Sequence, residues 1–223
     1  MNFNQARREV VATCLQLADK GYLAGTGGNV ACLIDENHFA VTPSAIDYYA
    51  MGPEDICVLH LSDLARVAGD RLPSVEHRLH AHVLRVRRDC RASIHTHQPV
   101  ASAYTLLGRP LEIHDPLHRS ILGPNAAFVG YAPSGTGWLA SKLQKALHPE
   151  TDAYLMRNHG VVCCGANLDE TVTKVEALEQ ACIAFFRSEI EDRIGNLAVT
   201  ESESSLLEVI TLLNGPGYLE SVQ

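Results

Sequence analysis

The run Ser93-Ile94-His95-Thr96-His97 constrains this chain more than any other segment. An apolar residue leading into His-x-His reads as the end of a β-strand. Side chains alternate faces along a strand, so His95 and His97 point one way and Thr96 the other. Two imidazoles one strand step apart can share a metal ion. They can equally be two exposed polar residues, and the tripeptide alone leaves both readings open. His77, His80 and His82 precede it closely, so chemistry is expected first in this part of the chain.

The surrounding pattern predicts strands interleaved with helices. Val10, Val11, Cys14, Leu15, Leu17 and Ala18 recur at helical spacing within 5–20, and Gly21 stands where a C-cap belongs. Strands are expected at 30–34 and 38–42, joined by Asp35-Glu36-Asn37 and ended by Pro43-Ser44. A second helix is predicted over about 75–87, with Ser74 as N-cap. Its end, Arg85-Val86-Arg87-Arg88, reads as a solvated terminus. Residues 106–110 form a turn, and Pro116, Gly123-Pro124 and Gly130 mark an irregular middle. A helix over about 137–147 precedes strands at 153–156 and 161–164, which flank Asn158-His159-Gly160. Asn167, with Glu170 three residues on, opens a helix running to about 190. Strand pairs adjacent in sequence favour an antiparallel or mixed sheet in a layered α/β fold over a doubly wound parallel one. No linker or repeat divides the chain, so residues 1–223 are expected to form a single domain.

Composition narrows the function. A net charge of −8 argues against nucleic acid, which calls for a basic surface. No apolar stretch is long enough to span a bilayer, and the first five residues have no signal-peptide character. The seven cysteines have no framework spacing, and Cys163-Cys164 lie in an apolar run as core residues would. A reducing, cytoplasmic setting is the expectation.

Several residues could carry chemistry. Glu76 falls two positions into the predicted helix, near the positive end of its dipole. It reads as a helix-start glutamate, or as an acid/base or metal ligand near His95 and His97. His80 lies one turn on and shares its face, so the pair is a conceivable metal site, whereas His77 and His82 read as surface residues. His159, beside Gly160 at a turn, is either structural or the third imidazole of a His₃ set with a further position open for substrate. The loop Gly25-Thr26-Gly27-Gly28-Asn29 could cradle an anion, with Thr42-Pro43-Ser44 and Ser74 as hydroxyl sources. No Gly-x-Ser-x-Gly nucleophile motif is present, and Ser134-Gly135-Thr136-Gly137 lacks the lysine of a phosphate loop.

Taken together and in order, five segments resemble the class II aldolase/adducin family, in particular its fuculose-1-phosphate aldolase branch. They are Gly25-Thr26-Gly27-Gly28-Asn29-Val30, Val41-Thr42-Pro43-Ser44, Pro73-Ser74-Val75-Glu76, His95-Thr96-His97 and Asn158-His159-Gly160-Val161. The resemblance implies a three-layer α/β/α fold with a central mixed, largely antiparallel sheet. It implies His95, His97 and His159 as ligands of Zn²⁺, with Mn²⁺ or Co²⁺ as other divalent choices. Glu76 is implied as proton shuttle or displaced fourth ligand. Gly28, Asn29, Ser44 and Ser74 are implied to hold a substrate phosphate. A homotetramer with active sites between subunits is implied too, each completed by a tyrosine near the C-terminus, for which Tyr218 is the candidate. The implied reaction is cleavage of a C–C bond in a sugar phosphate or related hydroxy-carbonyl substrate, through an enediolate.

Three departures bear on the reaction. Val75 stands in place of the second phosphate-binding serine, and Ala45 in place of the usual glycine of the turn. Asp115 falls where the aldolase branch carries a catalytic tyrosine, and is either a second acid/base or a cap on the turn before Pro116. The rival expectations are a metal-dependent decarboxylase of a hydroxy- or oxo-acid, an epimerase or dehydratase, and a non-catalytic adducin-like assembly domain.

Overall fold

The computed structural model describes residues 1–23, 25 and 27–195. Its N-terminal helix α1 (Phe3–Asp19) starts at Asn2, whose side chain accepts from the Gln5 N–H at 2.8 Å. Strands β1 (Asn29–Leu33), β2 (His38–Val41), β3 (Cys57–His60) and β4 (Arg66–Ala68) follow as a meander. Helix α2 (His77–Val86) leads into β5 (Ala92–Thr96), then α3 (Pro99–Tyr104), β6 (Leu111–Glu112), α4 (Pro116–Leu122) and β7 (Asn125–Val129). The last elements among the described residues are α5 (Gly137–Ala146), β8 (Ala153–Met156), β9 (Gly160–Gly165) and α6 (Leu168–Gly195).

The nine strands form one sheet in the order β4-β3-β2-β1-β5-β9-β8-β7-β6. Every neighbouring pair is antiparallel except β7 with β8. Helices cover both faces, which is why the central strands are apolar on both sides. One face packs Val30, Ala40, Ile94 and Val161 against Leu17, Ala101 and Leu178 of α1, α3 and α6. The other packs Phe39, Leu59, Tyr154 and Val162 against α2 and α5 through Leu79, Leu84, Leu139 and Leu143. The three-layer architecture with a mixed, mainly antiparallel sheet is therefore as expected.

Several local expectations are corrected. The middle predicted to be irregular holds α4 and β7: Asp115 accepts from the His118 N–H at 2.9 Å and Pro116 opens the helix, where its missing N–H costs nothing. Strands β3 and β4 were not visible in the pattern. The second helix begins at His77, so Glu76 occupies its cap position and the Ser74 hydroxyl accepts from the Glu76 N–H at 3.2 Å. His77 and His82 are half-buried. The predicted solvated terminus at 85–88 conceals Arg87, which is 3% exposed and bonded to Asp89 and Asp152.

Candidate metal centre

The alternation of β5 sends Ser93 and His95 to the α2 side, and His97 follows from the first residue past the strand. Asn29 of β1 is the register partner of His95, so the two side chains stand together on that face. On the other flank β9 begins at Gly160, after a turn in which Asn158 takes φ 52. A Cβ on Gly160 would overlap Thr96 O and lie 2.5 Å from His97 Cδ2, so only glycine lets His159 turn in here. Gly28 does the same on the near side, where a Cβ would meet His95 O at 2.8 Å.

The result is convergence of three ring nitrogens. His95 Nε2 lies 3.0 Å from His97 Nε2 and 3.1 Å from His159 Nε2. Glu76 faces the same point: Oε2 is 3.2 Å from His95 Nε2 and Oε1 is 3.0 Å from His159 Nε2. Each carboxylate oxygen is also held by a neutral donor, Asn29 Nδ2 to Oε2 and Ser134 Oγ to Oε1, both at 2.9 Å.

The hydrogen bonds decide what the cluster lacks. His95 Nδ1 lies 2.8 Å from Val161 O, and a carbonyl only accepts, so Nδ1 carries the proton. His95 Nε2 is then a lone pair, fully buried and facing a carboxylate oxygen. That lone pair also faces the Nε2 atoms of His97 and His159, and a shared cation would satisfy all of these groups at once. A proton is a poor candidate, because burial pulls the His95 pKa down to about 4, against the opposing influence of Glu76. Burial likewise lowers His97, with His159 adding to the effect. For Glu76 burial works toward a higher pKa, but His95 and the bonds from His159 and Asn29 outweigh it and keep the group a carboxylate. Three neutral imidazoles and one carboxylate are the donor set of a divalent first-row cation such as zinc. Bonds of about 2.0–2.1 Å in tetrahedral geometry would separate the nitrogens by about 3.3 Å, within a few tenths of what is found. The residues present therefore fit the ion.

The other predicted residues fare differently. Ser44 and Ser74 lie on two segments joined by the antiparallel bridge between Pro43 and Pro73, but not opposite each other: Ser44 N–H donates to Leu72 O and Ser74 N–H to Thr42 O. Asn29 is committed within the protein: its Oδ1 lies 2.5 Å from His80 Nε2 while its Nδ2 holds Glu76. His80 is not a metal partner of Glu76 in this arrangement, since its Nδ1 is also occupied, by Ser93 Oγ at 2.8 Å. Asp115 caps α4 and lines a separate cleft of about 360 Å³ with Phe185 and Glu189. Tyr218 lies outside the described residues. Sequence reasoning missed Ser134 as a partner of Glu76, and Tyr48, whose hydroxyl donates to Gly28 O at 2.6 Å and fixes the glycine loop. Ser134 lies in a Gly-rich motif that the sequence does display, but nothing local links it to Glu76.

A layered α/β fold with a His₃-carboxylate centre at the edge of its central strand defines a class of divalent-metal proteins. Residues 8–185 match the Class II Aldolase and Adducin N-terminal domain, and the chain belongs to that family. It is 31% identical over 207 residues to 5-deoxy-D-ribulose 1-phosphate aldolase of Bacillus thuringiensis, covering 89% of this chain and 96% of that one. It is also 31% identical over 173 residues to L-fuculose phosphate aldolase of Methanococcus vannielii, covering 78% and 91%. Among solved structures, an L-fuculose 1-phosphate aldolase superimposes with a TM-score of 0.77 at 26% identity, covering 91% of this chain and 93% of that one. YgbL of Klebsiella pneumoniae, described as a candidate aldolase, epimerase or decarboxylase, matches equally well, at 0.77 and 26% over 93% and 99%.

Proposed function

We propose that this chain is a divalent-metal-dependent aldolase, a lyase that cleaves a C–C bond of a ketose 1-phosphate. The observation that carries the reading is the convergence of His95, His97 and His159 Nε2 atoms on a point that Glu76 also faces. His95, His97 and His159 would hold the ion, with Zn²⁺ first and Mn²⁺ or Co²⁺ as alternatives. When bound, the ion supplies Lewis-acid stabilisation of negative charge developing on a substrate oxygen.

The chain's own residues do the rest. Glu76 is a buried carboxylate clamped by Asn29 and Ser134, placed to take a proton from substrate and return it. The Gly27-Gly28 turn and the hydroxyls of Ser44 and Ser74 are the polar groups offered to the phosphate. α2 and the sheet exclude water from the Glu76 side. We further propose a single domain over 1–223, a cytoplasmic location, and a homotetramer in which Asp115 and Tyr218 serve sites at subunit interfaces. The relatives' names nominate 5-deoxy-D-ribulose 1-phosphate and L-fuculose 1-phosphate as the substrates to try.

One observation favours a second reading. Val75, 58% exposed, packs beside Gly135 where the resemblance expects a phosphate-binding serine. That replacement suits a carboxylate substrate and a decarboxylase. Zinc-loaded protein should release dihydroxyacetone phosphate from one of the two ketose 1-phosphates. CO₂ release from hydroxy- or oxo-acids, with no cleavage of either ketose, would replace the aldolase reading with the decarboxylase one.

A further inference from the structure

We propose that His80 is a positioning residue for Glu76, acting through the Asn29 side chain. The argument starts at the carboxylate, which can only accept. Asn29 must therefore present its NH₂ to Glu76 Oε2, at 2.9 Å, and its carbonyl oxygen to His80. That oxygen accepts, so His80 Nε2 carries the ring proton. The neutral ring then has its lone pair on Nδ1, and Ser93 Oγ, 2.8 Å away, donates to it. One carboxylate thus fixes every proton along Ser93, His80, Asn29 and Glu76, and all donors point toward Glu76.

Burial makes the direction binding. His80 and Ser93 are fully buried, and Asn29 and Glu76 are 4% and 6% exposed, so water cannot substitute for a lost partner. Three elements supply the relay: Ser93 from β5, His80 from α2 and Asn29 from β1. An ordinary core histidine has no reason to orient an amide against a carboxylate that touches two other imidazoles. Without the His80 donor the Asn29 oxygen is left buried with no partner. The amide would shift to find one, and the carboxylate would lose its clamp and its place beside His95 and His159.

This inference rests on reading the trio as a metal centre, and the experiment separates the two. Full-length wild type, His80→Leu, His80→Gln and Ser93→Ala are loaded with Zn²⁺ for kinetics and with Co²⁺ for absorption spectra. His80→Gln keeps a donor for Asn29 and an acceptor for Ser93, so it should stay within about threefold of wild type. His80→Leu should lose about 10–100-fold in metal affinity or in kcat, with an altered cobalt spectrum and little change in KM. Ser93→Ala, which leaves the buried Nδ1 lone pair without its donor and loosens the ring, should move the same readouts in the same direction by a few-fold, and serves if His80→Leu does not fold. Leu and Ala variants that match wild type per folded molecule overturn the proposal. Nitrogen NMR of metal-free wild type should show His80 protonated on Nε2, and protonation on Nδ1 overturns it whatever the metal does. Wild type that binds neither ion defeats the metal reading instead.

Discussion

Two buried polar clusters occupy opposite ends of the β5–β9 pair, and they are built on different logic. At the Ala92–Gly165 end sits Arg87, and at the Thr96–Val161 end sits the histidine trio. Arg87 is closed upon itself: Nε and Nη2 bond both oxygens of Asp89, Nη2 also bonds Asp152, and Nη1 bonds the carbonyls of His148 and Thr151. Lys174, bonded to Asp152 and Glu170, adds a second cation. Donors and acceptors match, and nothing further is required. The other end brings three imidazoles and a carboxylate together with a buried lone pair facing an acceptor. A buried cluster that satisfies itself holds the fold, whereas a buried lone pair set against a carboxylate is the arrangement that a bound cation would satisfy.

Breaking the open end should abolish function while sparing the fold. In His95→Ala, bound zinc measured by elemental analysis should fall from one per chain to background, and turnover with it. A variant that retains stoichiometric metal would show that the trio is not the centre. Glu76→Gln is next in size. Gln keeps the shape but cannot take a proton, so kcat should drop about 10²–10⁴-fold with KM nearly unchanged. Metal content should stay at the wild-type level. Equal loss in KM would mean that Glu76 binds substrate instead of moving a proton.

The closed end should respond the other way. Arg87→Ala strands Asp152 beside Lys174 and removes the donors to two buried carbonyls. Breaking a buried pair costs about 3–5 kcal/mol, and the exposure of Asp89 puts the expected loss near about 3 kcal/mol. Denaturant titration reads this directly. Zinc content and kcat per folded molecule should be those of wild type. A fall in kcat matching that of Glu76→Gln would erase the distinction between the two ends.

The ease of reading the sequence also differed between the ends. The histidine trio was legible because its members come from short local signals: alternation puts His95 and His97 on one face, and Gly160 marks the turn that carries His159. The clamps on Glu76 were not, because Asn29 and Ser134 reach it across 47 and 58 residues of chain. The place of Asn29 was hidden for the same reason, since only the β1–β5 register reveals that it stands beside His95. Arg87 was misread because its partner Asp152 lies 65 residues on, while the adjacent arginines suggested solvent. The layers followed from helix and strand periods. The elements missed, β3, β4, α3, β6, α4 and β7, have 4, 3, 6, 2, 7 and 5 residues, too short for a period to stand out between prolines and glycines.

Acid should separate the two ends with the smallest effect. Burial pulls His95 to about 4 and His80 to about 3, His80 with added opposition from His95, whereas an unfolded histidine titrates near about 6.5. The folded-state values are depressed, so the unfolded chain takes up these protons first. The stability tied to the two rings is present above about pH 6.5 and is lost as pH falls toward the folded values. At the closed end, Asp89 is held below the ordinary carboxylate range by Arg87, so that pair keeps its charges through the same interval. Metal-free wild type and Arg87→Ala should therefore lose urea stability by the same increment between about pH 7 and about pH 5. His80→Gln should lose less, because a glutamine has no proton to gain. Zinc-loaded wild type should lose more, since the ion requires unprotonated imidazoles and is released as they charge. A wild-type profile that is flat across this interval, or an increment that disappears in Arg87→Ala, would place the acid-sensitive group outside the histidine cluster.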